Sequence, residues 1–235
     1  LPDSPDVPEG ATSVARERES EPRLGSTPRV LRPRRAAPAD AVRPTRAEIN
    51  LEALRHNLRV TARHAGRAHV WPVLKADGYG HGASAVARTL ERAGARGFCV
   101  ALLEEAIELR EAGIRTPILV MGGYYGDAYA ELLAREIVPV VYDEAGLEGF
   151  SRLVRAGDVE GPVGVHLKID TGMARLGVPM RSLDAFATKL VSNPFVRVRG
   201  LMTHLASADA EGLDDTRAQL ASFDEATSKL AAMGI

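Results

Sequence analysis

The sequence predicts an α/β fold built on a mostly parallel β-sheet. From residue 70 onward, short apolar runs alternate six times with longer stretches of helical period. This strict alternation of strand and helix is typical of α/β proteins. The runs are apolar throughout, as expected for parallel strands that helices cover on both faces. Hydrophobic residues make up 45% of the chain and charged residues 26%, which is ordinary for a globular protein.

Six strand–helix units and one preceding helix are predicted. The units, each strand with its helix, are 70–74 with 83–93, 98–102 with 104–111, 118–121 with 128–136, 138–142 with 144–155, 163–169 with 182–191, and 196–203 with 213–233. The preceding helix covers 51–64, with Asn50 as a suitable N-cap. Six strands suffice for a doubly wound sheet, whereas an eight-stranded barrel needs two more to close.

Residues 1–46 differ in composition from residues 47–235. They hold eight of the 14 prolines and nine arginines, interleaved with Asp and Glu. Such a segment cannot bury enough apolar surface to offset its loss of entropy on ordering. It lacks the apolar segment of a secretory signal, and its many acids argue against a transit peptide. We therefore expect a disordered tail at 1–46, ahead of one folded domain at 47–235.

Composition and charge exclude several classes of function. The chain has 30 Lys and Arg against 31 Asp and Glu, with a net charge of −1. This argues against a protein that binds nucleic acid or a membrane surface through bulk positive charge. No apolar run approaches the roughly 20 residues that span a bilayer. Cys99 is the only cysteine, and the histidines have no metal-ligand spacing, so we predict neither a disulfide nor a metal site.

Lys75 is the first candidate for chemistry. The chain has four lysines against 26 arginines, and Lys75 directly follows the first predicted strand and opens the glycine-rich segment 75–82. Active sites of α/β folds form at the carboxyl ends of parallel strands. A partly desolvated amine there is available as a nucleophile for a Schiff base with an aldehyde cofactor. The alternative is a strand-end lysine that reaches solvent ahead of a turn.

Two further segments follow predicted strands. Residues 168–177 (KIDTGMARLG) place Lys168 and Asp170 on one face of the fifth strand and bring Arg175 soon after it. Arg175 could bind a phenolate, phosphate or carboxylate in fork geometry. Lys168 would be costly to bury as a cation, and a structural pair with Asp170 is the alternative to a functional role. His204 ends the sixth strand, where a neutral imidazole could stack on a ring or serve only as a satisfied core residue.

Three segments together resemble the signatures of the alanine racemase family. Residues 75–82 (KADGYGHG) are similar to the cofactor-lysine signature, residues 168–177 to the second motif, and residues 203–206 (THLA) to the third. They occur in the family's order. The resemblance implies a (β/α)8 TIM-type barrel followed by a C-terminal β-domain, a pyridoxal 5'-phosphate cofactor and a homodimer. It also implies cytoplasmic racemisation of L-alanine and D-alanine, which supplies D-alanine for peptidoglycan.

The resemblance also implies a role for each matching residue. Lys75 corresponds to the Schiff-base lysine and to the base that handles the proton on the D side. Tyr79 is similar to the tyrosine that helps to hold the cofactor phosphate. Arg175 resembles the arginine that bonds the phenolic oxygen of the cofactor and faces the substrate carboxylate. His204 resembles a histidine beside the pyridine ring, and Lys168 resembles a lysine that is carbamylated in many members.

The sequence departs from the family in its extent. About six of eight barrel units precede Ile235, so we expect the last two strands, the β-domain, the main phosphate-binding loop and the second catalytic tyrosine to lie beyond it. The present residues alone should be inactive and poorly folded. Alternatives are a broad-specificity or serine racemase, a non-catalytic pyridoxal-phosphate-binding barrel, or a scaffold without activity. Leu176, directly after Arg175, favours alanine as the substrate.

Overall fold

The strands follow one another in sequence order. The computed structural model describes residues 47–126 and 128–235, so the tail predicted at 1–46 lies outside the described residues. The strands are β1 (Phe98–Val100), β2 (Ile118–Val120), β3 (Ile137–Val138), β4 (Val140–Val141), β5 (Val163–Asp170), β6 (Val178–Pro179) and β7 (Val196–Met202).

All pairings between these strands are parallel. β1, β2 and β3 pair in that order, β4 pairs with β5, and β5 pairs with β7, while the short β6 lies beside the end of β5. Apart from β6, neighbours in the sheet are therefore neighbours in the chain. A doubly wound sheet reverses its strand order partway. The observed order confirms the α/β class and the barrel-type arrangement rather than the doubly wound alternative.

Eight helical segments accompany the strands in the described part of the chain, and the shortest of them is a turn whose residues 76–79 all have positive φ angles. They are α1 (Leu51–Ala65), α2 (Lys75–Tyr79), α3 (Ala83–Arg92), α4 (Leu103–Glu111), α5 (Tyr129–Ala134), α6 (Glu144–Ala156), α7 (Leu183–Val191) and α8 (Asp214–Ala232), with a 3₁₀ turn at Met180–Ser182. Every predicted helix is confirmed, with shifts of one or two residues at the ends. Asn50 caps α1 as predicted, since its Oδ1 accepts the Ala53 N–H at 3.0 Å. None of the helices described has both the length and the hydropathy needed to cross a membrane.

The strand predicted at 70–74 is reduced to one parallel bridge between Val73 and Cys99. The Cys99 N–H donates to the Pro72 carbonyl at 3.0 Å, and the Leu74 N–H donates to the Cys99 carbonyl at 2.8 Å. Pro72 has no N–H of its own, so a longer ladder cannot form through it. The prediction of a full strand is therefore wrong. The bridge still delivers Lys75 to the carboxyl end of the sheet.

The only tryptophan, Trp71, fastens this segment to the residue before β1. A Cβ added to Gly97 would lie 2.6 Å from the Trp71 ring atoms Cδ2 and Cε2, so the ring packs directly on the Gly97 backbone. Only glycine leaves room for that contact. The segment before Lys75 is thus held to β1 by ring packing as well as by hydrogen bonds.

The strand predicted at 138–142 is split in two at Pro139. The half before Pro139 (β3) pairs with β2, and the half after it (β4) pairs with β5. The Pro139 carbonyl accepts the His166 N–H at 2.8 Å, and the Val140 N–H donates to the Tyr124 hydroxyl. Because proline lacks an N–H, one strand cannot continue through this position. The prediction of one unbroken strand is wrong here, although its position is right.

The longest strand, β5, presents two chemically different faces. Val163, Val165, Leu167 and Ile169 are buried in the hydrophobic core, and His166 and Lys168 lie on the opposite face. A Cβ at Gly200 of β7 would come within 2.9 Å of the His166 ring, which shows that the imidazole lies over this neighbouring strand. The polar face of β5 therefore points away from the hydrophobic core.

Candidate active site

Lys75 opens a turn with left-handed backbone geometry. Ala76, Asp77 and Tyr79 have φ angles of 52°, 53° and 56°, and the intervening Gly78 has 63°. This conformation costs a residue with a Cβ about 1–2 kcal/mol. Three such residues in one turn must be held by surrounding contacts. The glycine-rich segment predicted after Lys75 is therefore more constrained than its glycines alone indicate.

Hydrogen bonds fix both ends of this turn. At its start, the Ala76 N–H donates to Glu105 Oε1 at 2.6 Å. At its end, the Ala83 N–H at the beginning of α3 donates to Asp77 Oδ1 at 2.7 Å. Within the turn, the Gly80 N–H donates to the Ala76 carbonyl at 2.9 Å. Two carboxylates thus offset part of the conformational cost of the turn.

Glu105 was not predicted as a site residue. Its other oxygen, Oε2, accepts the N–H groups of Ala101 and Leu102 at 2.8 and 3.0 Å, at the carboxyl end of β1. The same carboxylate therefore joins the first two strand ends of the sheet. The available signal was its place at the third position of α4, where an acid typically caps a helix. The link to Ala76 is a tertiary contact that no local pattern contains.

Four of the five predicted site residues line one cavity of about 240 Å³. They are Lys75, Lys168, Arg175 and His204. The remaining walls are Ala101, Leu102, Met121, Gly122, Tyr125 and Leu176. Tyr79 is 59% exposed and does not belong to this lining; its ring centre lies 5.7 Å from the Lys75 amine. The structure thus brings together side chains from three separate strand ends, because Lys168 and Arg175 both come from the end of β5 and the loop after it.

Lys168 is buried at the floor of this cavity. It is 2% exposed, and its Nζ donates to the Met121 carbonyl at 3.2 Å. The amine therefore lies on the side of the sheet that faces the cavity and not on the side that the helices cover. Burial lowers the pKa of Lys168, and the nearby Arg175 lowers it further, while Asp170 opposes the shift. An amine held in this way is more readily neutral than a surface lysine.

The loop that carries Arg175 is fastened closely to the end of β5. Asp170 Oδ1 accepts the N–H groups of Gly172 and Ala174, both at 3.0 Å. Gly177 has a φ of 138°, and a Cβ there would lie 2.5 Å from the Asp170 nitrogen. The loop thus turns back on the strand at close range. Arg175 is held between these two anchor points, at the rim of the cavity.

His204 is kept neutral by its surroundings. Burial lowers its pKa, and the positive charges of Arg175, Lys168 and Lys75 lower it further, in that order. At neutral pH the imidazole therefore carries a proton on one nitrogen only. It can offer one hydrogen-bond donor and one acceptor, or a ring face, to a ligand.

Gln219 of α8 joins the loops that carry Arg175 and His204. This side chain is 5% exposed; its Nε2 donates to the His204 carbonyl at 3.1 Å and to Thr171 Oγ1 at 3.2 Å, and its Oε1 accepts the Ala206 N–H at 2.8 Å. It was not predicted. Its signal was a polar residue on the buried face of a helix, in line with Ala226 and Leu230.

The cavity is electrostatically one-sided. Two lysines and an arginine line it, and none of its described lining residues is an Asp or Glu. Such a lining favours an anionic ligand, and the arginine fork suits a carboxylate, phosphate or phenolate. An amine, cationic groups and a neutral imidazole around a small cavity fit pyridoxal phosphate, an anionic aromatic aldehyde. The donor set therefore agrees with the cofactor predicted from the sequence.

Comparison with known proteins identifies the family. A family model described as the N-terminal domain of alanine racemase matches residues 49–235. The chain belongs to this family. It is 56% identical over 200 residues to the alanine racemase of Sorangium cellulosum strain So ce56. The matched region covers 83% of this chain and 52% of that protein. The chain spans about half the length of the curated relatives it matches.

Solved structures agree with this assignment. An alanine racemase from Clostridium difficile 630 in complex with cycloserine is 33% identical, with a TM-score of 0.74 over 83% of this chain and 53% of its own. An alanine racemase from Bartonella henselae with covalently bound pyridoxal phosphate is 26% identical, with a TM-score of 0.69 over 77% of this chain and 52% of its own. The barrel-type fold of the described residues is therefore that of the family.

Proposed function

We propose that this protein acts in the pyridoxal-phosphate-dependent interconversion of L-alanine and D-alanine. The reaction would take place in the cytoplasm and would supply D-alanine for peptidoglycan. The observation that supports this most is the meeting of Lys75, Lys168, Arg175 and His204 around one cavity. Racemisation requires removal of a proton from the α-carbon of an amino acid. When bound, pyridoxal phosphate would delocalise the electron pair that the departing proton leaves behind.

Each residue of the cavity has a distinct task in this proposal. The Lys75 amine would hold the cofactor covalently, and once released it would take a proton from the substrate α-carbon, or return one, on one face. The Arg175 fork would bind the phenolic oxygen of the cofactor and orient the substrate carboxylate. His204 would lie beside the pyridine ring as a neutral group. Tyr79 would contribute to binding of the phosphate from the rim.

Lys168 has a proposed modification. The neutral amine would form a bond from Nζ to the carbon of CO₂ and release one proton, giving a carbamate with a negative charge. The buried cation would thereby become an anion that can pair with Arg175. The burial of Lys168 and its lowered pKa support this step, because only the neutral amine reacts. A mass spectrum of gently handled protein without the added mass of CO₂ on Lys168 would contradict it.

A second proton-transfer group is needed on the opposite face of the substrate. Following the family, we propose a tyrosine from a partner subunit, so a homodimer is part of the proposed function. Leu176, an apolar residue in the cavity lining, favours alanine over a hydroxylated substrate such as serine. A broad-specificity or serine racemase is the second candidate, and equal rates with alanine and serine would favour it.

The test uses protein expressed from the complete reading frame. It is incubated with pyridoxal phosphate, reduced with borohydride and digested, and the modified lysine is located by mass spectrometry. We expect the adduct on Lys75, together with racemisation of alanine in a chiral assay. The Lys75→Ala variant should lose both. An adduct without turnover would identify a non-catalytic pyridoxal-phosphate-binding barrel, and a folded protein without an adduct on Lys75 would overturn the proposal.

A further inference from the structure

We infer that Glu105 is a positioning residue, which holds the left-handed turn after Lys75 and so directs the Lys75 amine into the cavity. This inference rests on the proposed function for its chemical meaning. Its structural basis is independent, since it starts from the three hydrogen bonds that the Glu105 carboxylate accepts. This carboxylate joins the backbone beside Lys75 to the neighbouring end of β1.

The turn needs an external restraint. Ala76 follows Lys75 directly and has a φ of 52°. This left-handed geometry is unfavourable for a residue with a Cβ, so Ala76 would adopt another conformation without a restraint. Its N–H is held by Glu105 Oε1 at 2.6 Å, the shortest bond that Glu105 makes. A rotation of Ala76 toward ordinary geometry would break this bond and would turn the peptide that carries Lys75. The restraint therefore acts on the direction of the lysine side chain.

The position of Glu105 is itself well fixed. Its Oε2 accepts the N–H groups of Ala101 and Leu102, and both of these residues line the cavity. Glu105 is half-buried on α4, between the turn and β1. Charge-assisted bonds of this kind are shorter and stronger than neutral ones. The carboxylate thus transmits the fixed position of the β1 end to Lys75.

A capture experiment separates positioning from general stability. Pyridoxal phosphate is added to the full-length protein and reduced with borohydride: the lysine nitrogen replaces the aldehyde oxygen, which leaves as water, and hydride then reduces the carbon–nitrogen bond. The readout is the yield at Lys75 relative to the exposed Lys189 of α7. A variant that is merely less stable changes the reactivity of several lysines, whereas a misdirected turn lowers the ratio at Lys75 alone.

Glu105→Gln should lower this ratio about tenfold, because an amide has only one acceptor oxygen and no charge. Glu104→Gln is the matched control: it removes the same charge from the same helical turn, and its side chain is exposed. We expect that control to keep the wild-type ratio. An unchanged ratio in Glu105→Gln, or an equal fall in Glu104→Gln, would overturn the inference.

A rescue distinguishes the turn from the charge. Adding Ala76→Gly to Glu105→Gln should restore most of the ratio, because glycine adopts left-handed geometry without the cost that alanine carries. If Glu105 acted only through its negative charge, this second change would restore nothing, and the inference would be wrong.

Amide hydrogen exchange gives a readout that needs no cofactor. The peptide containing Ala76 should exchange about tenfold faster in Glu105→Gln and at the wild-type rate in Glu104→Gln. Faster exchange with an unchanged capture ratio would show that the turn loosens without moving Lys75, which refutes the positioning role. A wild-type protein that captures nothing on Lys75 would contradict the proposed function, and unchanged exchange would then separately contradict the role of Glu105.

Discussion

Replacing Gly177 with alanine should detach the loop that carries Arg175 from the end of β5. Gly177 has a φ of 138°, which side chains with a Cβ rarely adopt. The added Cβ would lie 2.5 Å from the Asp170 nitrogen and 2.8 Å from the Ile169 carbonyl carbon. Both are backbone atoms within a paired strand, so they cannot move aside as the end of a flexible side chain can. The loop itself must move.

The expected cost has two parts. A residue forced into such a backbone region costs about 1–3 kcal/mol. The steric overlap adds a cost like that of overpacking, again about 1–3 kcal/mol, because relief of the contact disturbs the pairing of Ile169 with Val178. We therefore expect the free energy of unfolding to fall by about 3 kcal/mol. The Lys75 capture yield should fall as well, since Arg175 leaves its place at the cavity rim.

Gly212→Ala is the matched control. A Cβ at Gly212 meets nothing within 4 Å, and its φ lies outside the range that disfavours side chains. This change should leave stability within about 0.5 kcal/mol of the wild type or raise it slightly. The urea midpoints of both variants are measured, with far-ultraviolet circular dichroism as the signal that monitors unfolding. Equal midpoints for Gly177→Ala and Gly212→Ala would refute the steric argument.

Two further variants test the surroundings of the site. Gln219→Leu removes three hydrogen bonds and should lower the free energy of unfolding by about 2 kcal/mol. The control Asp224→Leu, on the exposed side of α8, should change it by about 0.5 kcal/mol or less. Equal losses of the two variants in urea titrations would show that the bonds contribute nothing. Burial lowers the pKa of His166, so the unfolded chain takes up a proton before the folded one does, and stability falls as the pH drops below about 6.5. His166→Asn should therefore lose less stability between pH 7.5 and pH 5.5 than the wild type, and the exposed-site control His56→Asn should behave as the wild type; a loss in His166→Asn as large as in the wild type would contradict the effect of burial.

Elements with a local cause were predicted well. The helices have apolar periodicity and clear ends, and Asn50 caps α1 through a bond that involves only residues three apart. The meeting of Lys75, Lys168, Arg175 and His204 also followed from a general rule. Each lies at or just after the carboxyl end of a predicted parallel strand, and such ends converge on one side of the sheet.

Features that depend on contacts distant in sequence were missed. Pro72 and Pro139 interrupt apolar runs that otherwise have the pattern of strands. A prediction from apolar periodicity alone does not account for the N–H that proline lacks. Left-handed geometry at Ala76 contradicts the preference of alanine, and Glu105, 29 residues away, supplies the bond that maintains it. The role of Gln219 likewise depends on three partners brought together only by folding. The roles proposed for the five site residues remain predictions.

The contact between Trp71 and Gly97 has an optical consequence. Because this is the only indole in the sequence, its emission comes from a single known place, four residues before Lys75. The ring is half-buried against backbone, and its emission should shift to longer wavelength when the segment separates from β1. If pyridoxal phosphate binds Lys75 as proposed, its chromophore would absorb where tryptophan emits and would quench that emission by energy transfer. Events at the candidate active site can therefore be followed by fluorescence in the unlabelled protein.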